Sequence, residues 1–281
     1  MKSLSAAALV IEGNLTTSPV LKLPRMPSEL GPIKAGSLRI ARRVSNFLQA
    51  GHAVASYEEL QASKLVLLRL PDSSVERVID EICASELVLE GLAFVLCDTW
   101  LGSETLHRLR QKGAAVATTC QIHAAHGMPY FAAEGMAAAT RPLRKLLDRC
   151  DARMIEIRPG TKELLFGAEL LTTALPIPIF MAAQQALRAC GIAGHPLFTL
   201  LEGGAQQMFR ACCAGARLTW GGPLTECSPE IADAHFAGLR EKLPEVAQVL
   251  DEQLAWARSI MGRTRCELSS EPSKQAVQTA G

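Results

Sequence analysis

AAALVIEGNL, residues 6–15, decides how the rest of this chain is read. Residues 6–11 are apolar without interruption, and Glu12, Gly13 and Asn14 then end the run. A short apolar run that stops at turn-forming residues fits an interior strand covered on both faces and opening onto a loop. Downstream, residues 17–32 contain Pro19, Pro24, Pro27 and Pro32, a density that excludes a regular helix after this strand. GPIKA at 31–35 reads as the second strand. SLRIARRVSNFLQ at 37–49 has helical spacing through Ile40, Val44 and Leu48, with Ser37 as N-cap and Gly51 as the stop. Residues 52–55 read as a short strand, 57–62 as one helical turn, and KLVLLRL at 64–70 as a central strand closed by Pro71 and Asp72.

The alternation continues with a helix at 74–85, a strand AFVLC at 93–97 and a helix at 102–112 after the loop Asp98-Thr99-Trp100. A strand at 115–119, a short run at 130–133, a helix at 136–148 and RMIEI at 153–157 complete it. Strands separated by helices in this rhythm are βαβ units of a parallel sheet. From residue 161 the pattern changes to helix-period segments at 162–190, 196–214, 229–242 and 244–261, with Pro229 and Pro244 in first turns. Breaks fall at Gly191, Gly194 and Gly221-Gly222-Pro223. The expected architecture is an α/β domain over 1–159, an all-helical domain over 160–262 and a polar, disordered tail over 263–281.

Charge narrows the function. The 281 residues carry 29 basic and 28 acidic side chains and no basic block, so there is no electrostatic footprint for nucleic acid. The N-terminal apolar run is too short for a signal peptide, and the expectation is a cytoplasmic protein. The nine cysteines, an odd number without C-x-x-C spacing, are expected to be buried free thiols rather than disulfides or zinc ligands. Residues 164–183 are the most apolar span and would be long enough for a membrane. They hold Glu169, Pro176 and Pro178, so a helix buried in a domain or at a subunit interface is expected, and with it a homodimer.

In a dinucleotide-binding fold the turn after the first strand carries G-x-G-x-x-G, whose glycines let backbone approach a diphosphate. Residues 11–16 read Ile-Glu-Gly-Asn-Leu-Thr, so only the middle glycine, Gly13, is present, and Glu12 brings negative charge to the cradle. The α/β half followed by a helical half, with Glu12-Gly13-Asn14-Leu15, LLRLPD at 67–72, GAAVATT at 113–119, Gly160-Thr161-Lys162 and WGGPL at 220–224, resembles a bacterial family. In that family a Rossmann-like NAD(P)-binding domain is joined to a helical C-terminal domain of unknown function. It is related to the pyrroline-5-carboxylate reductase and the 6-phosphogluconate and 3-hydroxyisobutyrate dehydrogenase superfamily. The chain departs from the family pattern with Asp98, Thr99 and Trp100 after the fifth strand, Cys120 and Gln121 after the sixth, and Phe166 in the first long helix.

The resemblance implies an NAD(P)-dependent reductase or dehydrogenase of a small molecule, with Lys162 donating a proton to substrate across a cleft. Gly13, Asn14, Pro71, Asp72, Asp98 and Thr99 would line the nucleotide, since they follow the carboxyl ends of parallel strands. Each has a plainer role open to it: Asp72, Asp98 or Thr99 as a helix cap, Lys162 as a solvated first-turn lysine. Lys34, after the second strand, is where a 2′-phosphate would find a cation. Cys120, His123 and His126 are soft ligands within seven residues, but a loop gives them no fixed face and Glu134 is the one nearby carboxylate; no metal site is expected. Cys212 and Cys213, adjacent in a helix, point about 100° apart. The competing reading is a non-catalytic binding or scaffold protein that kept the fold and lost the cofactor.

Overall fold

The computed structural model describes residues 7–123, 127–213 and 227–269. It divides into two compact units, Met1–Leu170 and Leu171–Gly281. The strands of the first are β1 (Ala7–Ile11), β2 (Leu30–Ala35), β3 (His52–Ala53), β4 (Leu65–Arg69), β5 (Ala93–Leu96), β6 (Ala115–Ile122), β7 (Tyr130–Gly135) and β8 (Arg153–Glu156). They form one sheet in the order β3-β2-β1-β4-β5-β6-β7-β8, with β1 interior as its apolar run requires. Strand order reverses beside β1, which creates the crevice that open α/β sheets use for ligands.

Alternation of side chains across β1 explains its uniform burial. Ala7, Leu9 and Ile11 join one core with Ile33, Leu67, Val95 and Phe131, whereas Ala8 and Val10 join the other with Val66, Leu68, Phe94 and Leu96. Helices α2 (Leu38–Leu48) and α5 (Ala137–Arg149) supply the first core, through Ala41, Val44, Leu143 and Leu146. Helices α3 (Val75–Ala84) and α4 (His107–Gln111) supply the second, through Val78, Ile82 and Leu109. Between β1 and β2 the prolines leave two 3₁₀ turns, Leu15–Thr17 and Val20–Lys22, and the four-residue α1 (Met26–Glu29).

One junction departs from the all-parallel expectation. β7 pairs antiparallel with β6, Thr118 opposite Glu134, and β8 then runs parallel to β7. Only residues 123–129 join β6 to β7, too few for the crossover that parallel pairing needs. The helix expected at 102–112 begins as a 3₁₀ turn, Ser103–Leu106, before α4.

Helix α6 (Lys162–Glu169) closes the first unit. The second unit contains α7 (Pro176–Ala189), α8 (His195–Cys213), α9 (Pro229–Lys242) and α10 (Pro244–Ser269), so the last helix runs beyond the expected stop at 261; residues 270–281, and the WGGPL segment, lie outside the described residues. Its buried apolar side chains, among the described residues, are Leu197, Val246, Ala247 and Leu254. The apolar span is not buried in a domain as one alternative held: the helix from Lys162 to Ala189 is long and apolar enough to cross a membrane, and its most apolar stretch is unburied. Burial of the described cysteines is uneven. Cys97, Cys120 and Cys150 are buried, whereas Cys190 and Cys213 are exposed because the helices that carry them expose most of their surface.

Candidate functional site

Four parallel strands, β1, β4, β5 and β6, release their chains on one edge of the sheet, and the expected site residues follow them there. Gly13 takes φ +80°, and a Cβ on it would lie 2.9 Å from Pro71 Cγ. Backbone handedness and the packed proline therefore both demand glycine, and the turns after β1 and β4 meet as the sequence implied. Asn14 Oδ1 accepts from the Thr16 N–H at 2.9 Å and from its hydroxyl at 2.8 Å, capping the 3₁₀ turn from within. Glu12 Oε2 lies 2.5 Å from Arg77 Nη2 on α3. The charge expected to oppose a diphosphate thus has a cation beside it.

Asp98 sits in the left-handed region at φ +57°. Its carboxylate accepts from the Ser18 hydroxyl and, at 3.3 Å, from the Val20 N–H; Arg69 Nε lies 3.4 Å away. Arg69 also donates to Thr17 Oγ1 at 3.2 Å. Burial raises the Asp98 carboxyl above the ordinary range, against the pull of Ser18, Val20 and Arg69. Asp98 therefore ties the outlet of β5 to the segment after β1, a role different from the helix cap it was weighed as. Thr99 Oγ1 donates to Asp72 Oδ1 at 3.1 Å and accepts from the Leu101 N–H at 3.0 Å. The cap of the following turn comes from elsewhere: the buried Glu134 accepts from the Ser103 N–H at 2.6 Å and from the Gly160 N–H at 3.1 Å.

Lys162 is 1 % exposed, and its Nζ donates to Leu101 O and Thr118 Oγ1, each at 2.9 Å. This is not a solvated first-turn lysine. Burial lowers its pKa, while Cys120, Glu134, Cys97 and Asp72 pull it back up. One turn on, Phe166 meets Trp100 edge-to-face with ring centroids 5.3 Å apart. One turn further, Glu169 accepts from the His123 backbone N–H at 3.3 Å and from its ring Nδ1 at 3.0 Å. Positions i, i+4 and i+7 of α6 thus face the loops after β5 and β6.

Sequence reading had Lys162 and Phe166 but missed Glu169, although the spacing was legible. His123 is paired with that carboxylate and not with Cys120, whose thiol burial pushes up to about 11, so it is no thiolate. His126 lies outside the described residues, among which no group of three metal-ligating side chains occurs. Lys34 donates to Ala35 O at 2.7 Å and lies 4.8 Å from the centroid of Tyr57.

No family sequence profile matches the chain, and no curated protein matches it by sequence. Its fold is that of a group of solved reductases. A variant imine reductase from Myxococcus stipitatus in complex with NAD+ shares 16 % identity at a TM-score of 0.64, over 91 % of this chain and 94 % of that one. A reductive aminase from Aspergillus terreus in complex with NADPH and ethyl-5-oxohexanoate shares 16 % identity at 0.60, over 94 % and 95 %. A pyrroline-5-carboxylate reductase from Coxiella burnetii shares 12 % identity at 0.55, over 88 % and 96 %. The α/β unit followed by a helical C-terminal unit is therefore a Rossmann-like fold of the kind these solved structures have.

Proposed function

We propose that the protein is an NAD(P)-linked oxidoreductase of a small metabolite, its nucleotide lying along Gly13-Asn14, Pro71-Asp72 and Asp98-Thr99. The observation that carries this reading is the Gly13 turn, where no side chain fits against Pro71 at the mouth of the switch-point crevice. Three features agree. Glu12 pairs with Arg77, a cation that it shares with Glu81, and Gly13 and Asn14 are exposed. After β2, Ser37 caps α2 through the Ile40 N–H, and exposed Arg39, Arg42 and Arg43 follow, cations suited to a phosphorylated ribose. Bound nicotinamide would supply hydride; this chain's residues would hold the nucleotide and manage the proton. In this reading Lys162 positions the Leu101 carbonyl and Thr118 from the interior.

The test is a titration with NADH and NADPH followed by nicotinamide fluorescence. Saturable binding with Kd below about 1 mM, lost in Gly13→Asp and weakened for NADPH in Arg39→Glu, supports the proposal. Silence with both nucleotides overturns it. That outcome favours the second reading, a non-catalytic binding protein, which has its own support: across the crevice Asp98 already accepts from Ser18 and pairs with Arg69.

We also propose a cytoplasmic homodimer formed through the helical unit. Leu171, Leu175, Ile177 and Met181 of this apolar stretch are all exposed within one chain, more apolar surface than a monomer normally shows to water. Light scattering giving one chain mass at micromolar concentration would overturn it, and partition into detergent micelles in place of dimers would point to a membrane.

A further inference from the structure

We infer that His123, held by Glu169, is the residue that hands a proton to the oxygen or nitrogen of a carbonyl or imine substrate whose body is aromatic. The inference rests on the oxidoreductase reading above and names the group that completes it. Reduction of C=O or C=N places a hydride on carbon and needs one proton on the heteroatom. The lysine expected to give that proton is sealed in the interior with both observed donations directed at protein oxygens. His123 lies on the same carboxyl edge, immediately after β6, and its side chain is 82 % exposed.

Its geometry is more than that of a surface histidine. A carboxylate can only accept, so Nδ1 carries the proton shared with Glu169, and the second Glu169 oxygen takes the backbone N–H of the same residue. The backbone bond anchors the residue and the ring bond sets the imidazole, so that Nε2 is the nitrogen left to meet a substrate. The Glu169 side chain is only 15 % exposed, so the carboxylate that holds the ring is itself fixed in the fold. Phe166, three residues earlier on the same helix face, and Trp100 present partly exposed rings beside the dyad, a wall for an aromatic body. In the transfer the Nε2–H bond breaks, an O–H or N–H bond forms, His123 is left neutral, and water restores its proton. His123 is thus a catalytic residue and Glu169 a positioning one.

The test uses the full-length protein labelled with ¹⁵N-histidine, with His123→Gln assigning the signal and NADPH and acetophenone as probes. The expected spectrum has His123 protonated on Nδ1, reverting to the mixed tautomers of a solvated imidazole in Glu169→Gln. Acetophenone added with NADPH should move the His123 ring signals and quench emission that Trp100→Phe removes. His123→Gln should lower kcat for acetophenone reduction by about 100-fold or more with Tm unchanged. An unaltered tautomer in Glu169→Gln, or a His123 signal unmoved by acetophenone while NADPH binds, overturns this inference and leaves the oxidoreductase reading standing. Failure to bind either nucleotide overturns both.

Discussion

The two units treat their apolar residues in opposite ways. In the first, every residue of β1 is buried, because the sheet has helices on both faces and alternate side chains enter separate cores. In the second, no residue of α7 is buried, and Ile177, Met181, Phe198 and Phe209 face outward. The first unit buries these residues in two cores, whereas the described residues of the second leave an apolar surface facing water. The lesson is that residues of one type carry different energetic weight in the two halves, and the contrast can be broken in several ways.

The largest effect is expected in the first unit. Phe131→Ala, at a fully buried site, should cost about 3–5 kcal/mol, read as a lower midpoint in urea. Phe198→Ala, at an exposed site, should change the isolated chain by less than about 0.5 kcal/mol. Equal losses would erase the contrast. Next, for the homodimer proposed above, Met181→Glu on α7 should shift the mass in light scattering from dimer to monomer and weaken association at least tenfold, about 1.4 kcal/mol, without altering the far-UV CD of the chain. An unchanged mass would remove α7 from the contact.

A smaller effect concerns pH. Burial holds the Lys162 pKa below 10.5, so above its folded pKa the native state binds fewer protons here than the unfolded chain does. Wild-type stability should therefore rise relative to Lys162→Met between that depressed value and pH 10.5, and the difference should level off above it. The raised thiols Cys97, Cys120 and Cys150 act in the opposite sense; Cys150 cancels in the difference, whereas Cys97 and Cys120 feel Lys162, so the comparison is made in a Cys97→Ala, Cys120→Ala background. A pH-independent difference would mean that Lys162 titrates normally. The smallest effect is expected at the exposed Arg77, where Arg77→Ala should leave Tm unmoved at physiological salt yet weaken nucleotide binding by freeing the Glu12 charge.

Local patterns were legible wherever one residue's neighbours in sequence set its environment. The run from Ala7, the Ser37 cap, the proline-broken crossover and Val75–Ala84 all follow from periodicity or from the covalent limits of proline. The candidate site was legible in part. Gly13 and Pro71 were placed on one edge by strand order alone, and their packing then supplied the reason for the glycine. Asp98 and Lys162 were chosen as site residues by position, but their partners, Ser18 across 80 residues and Thr118 across 44, leave no periodic trace. Glu134, which caps a turn 31 residues away, was seen only as a carboxylate near a loop.

The sequence by itself determined the alternating α/β half, the helical half, the interior first strand and the Glu12-Gly13-Asn14 turn that ends it, because each depends on hydrophobic period or turn chemistry within a few residues. Tertiary structure alone decided that Lys162 is enclosed, that Asp98 bridges the crevice and that Glu169 holds His123. Those outcomes depend on which distant side chains the fold brings within about 3 Å, where desolvation and hydrogen bonding settle the chemistry.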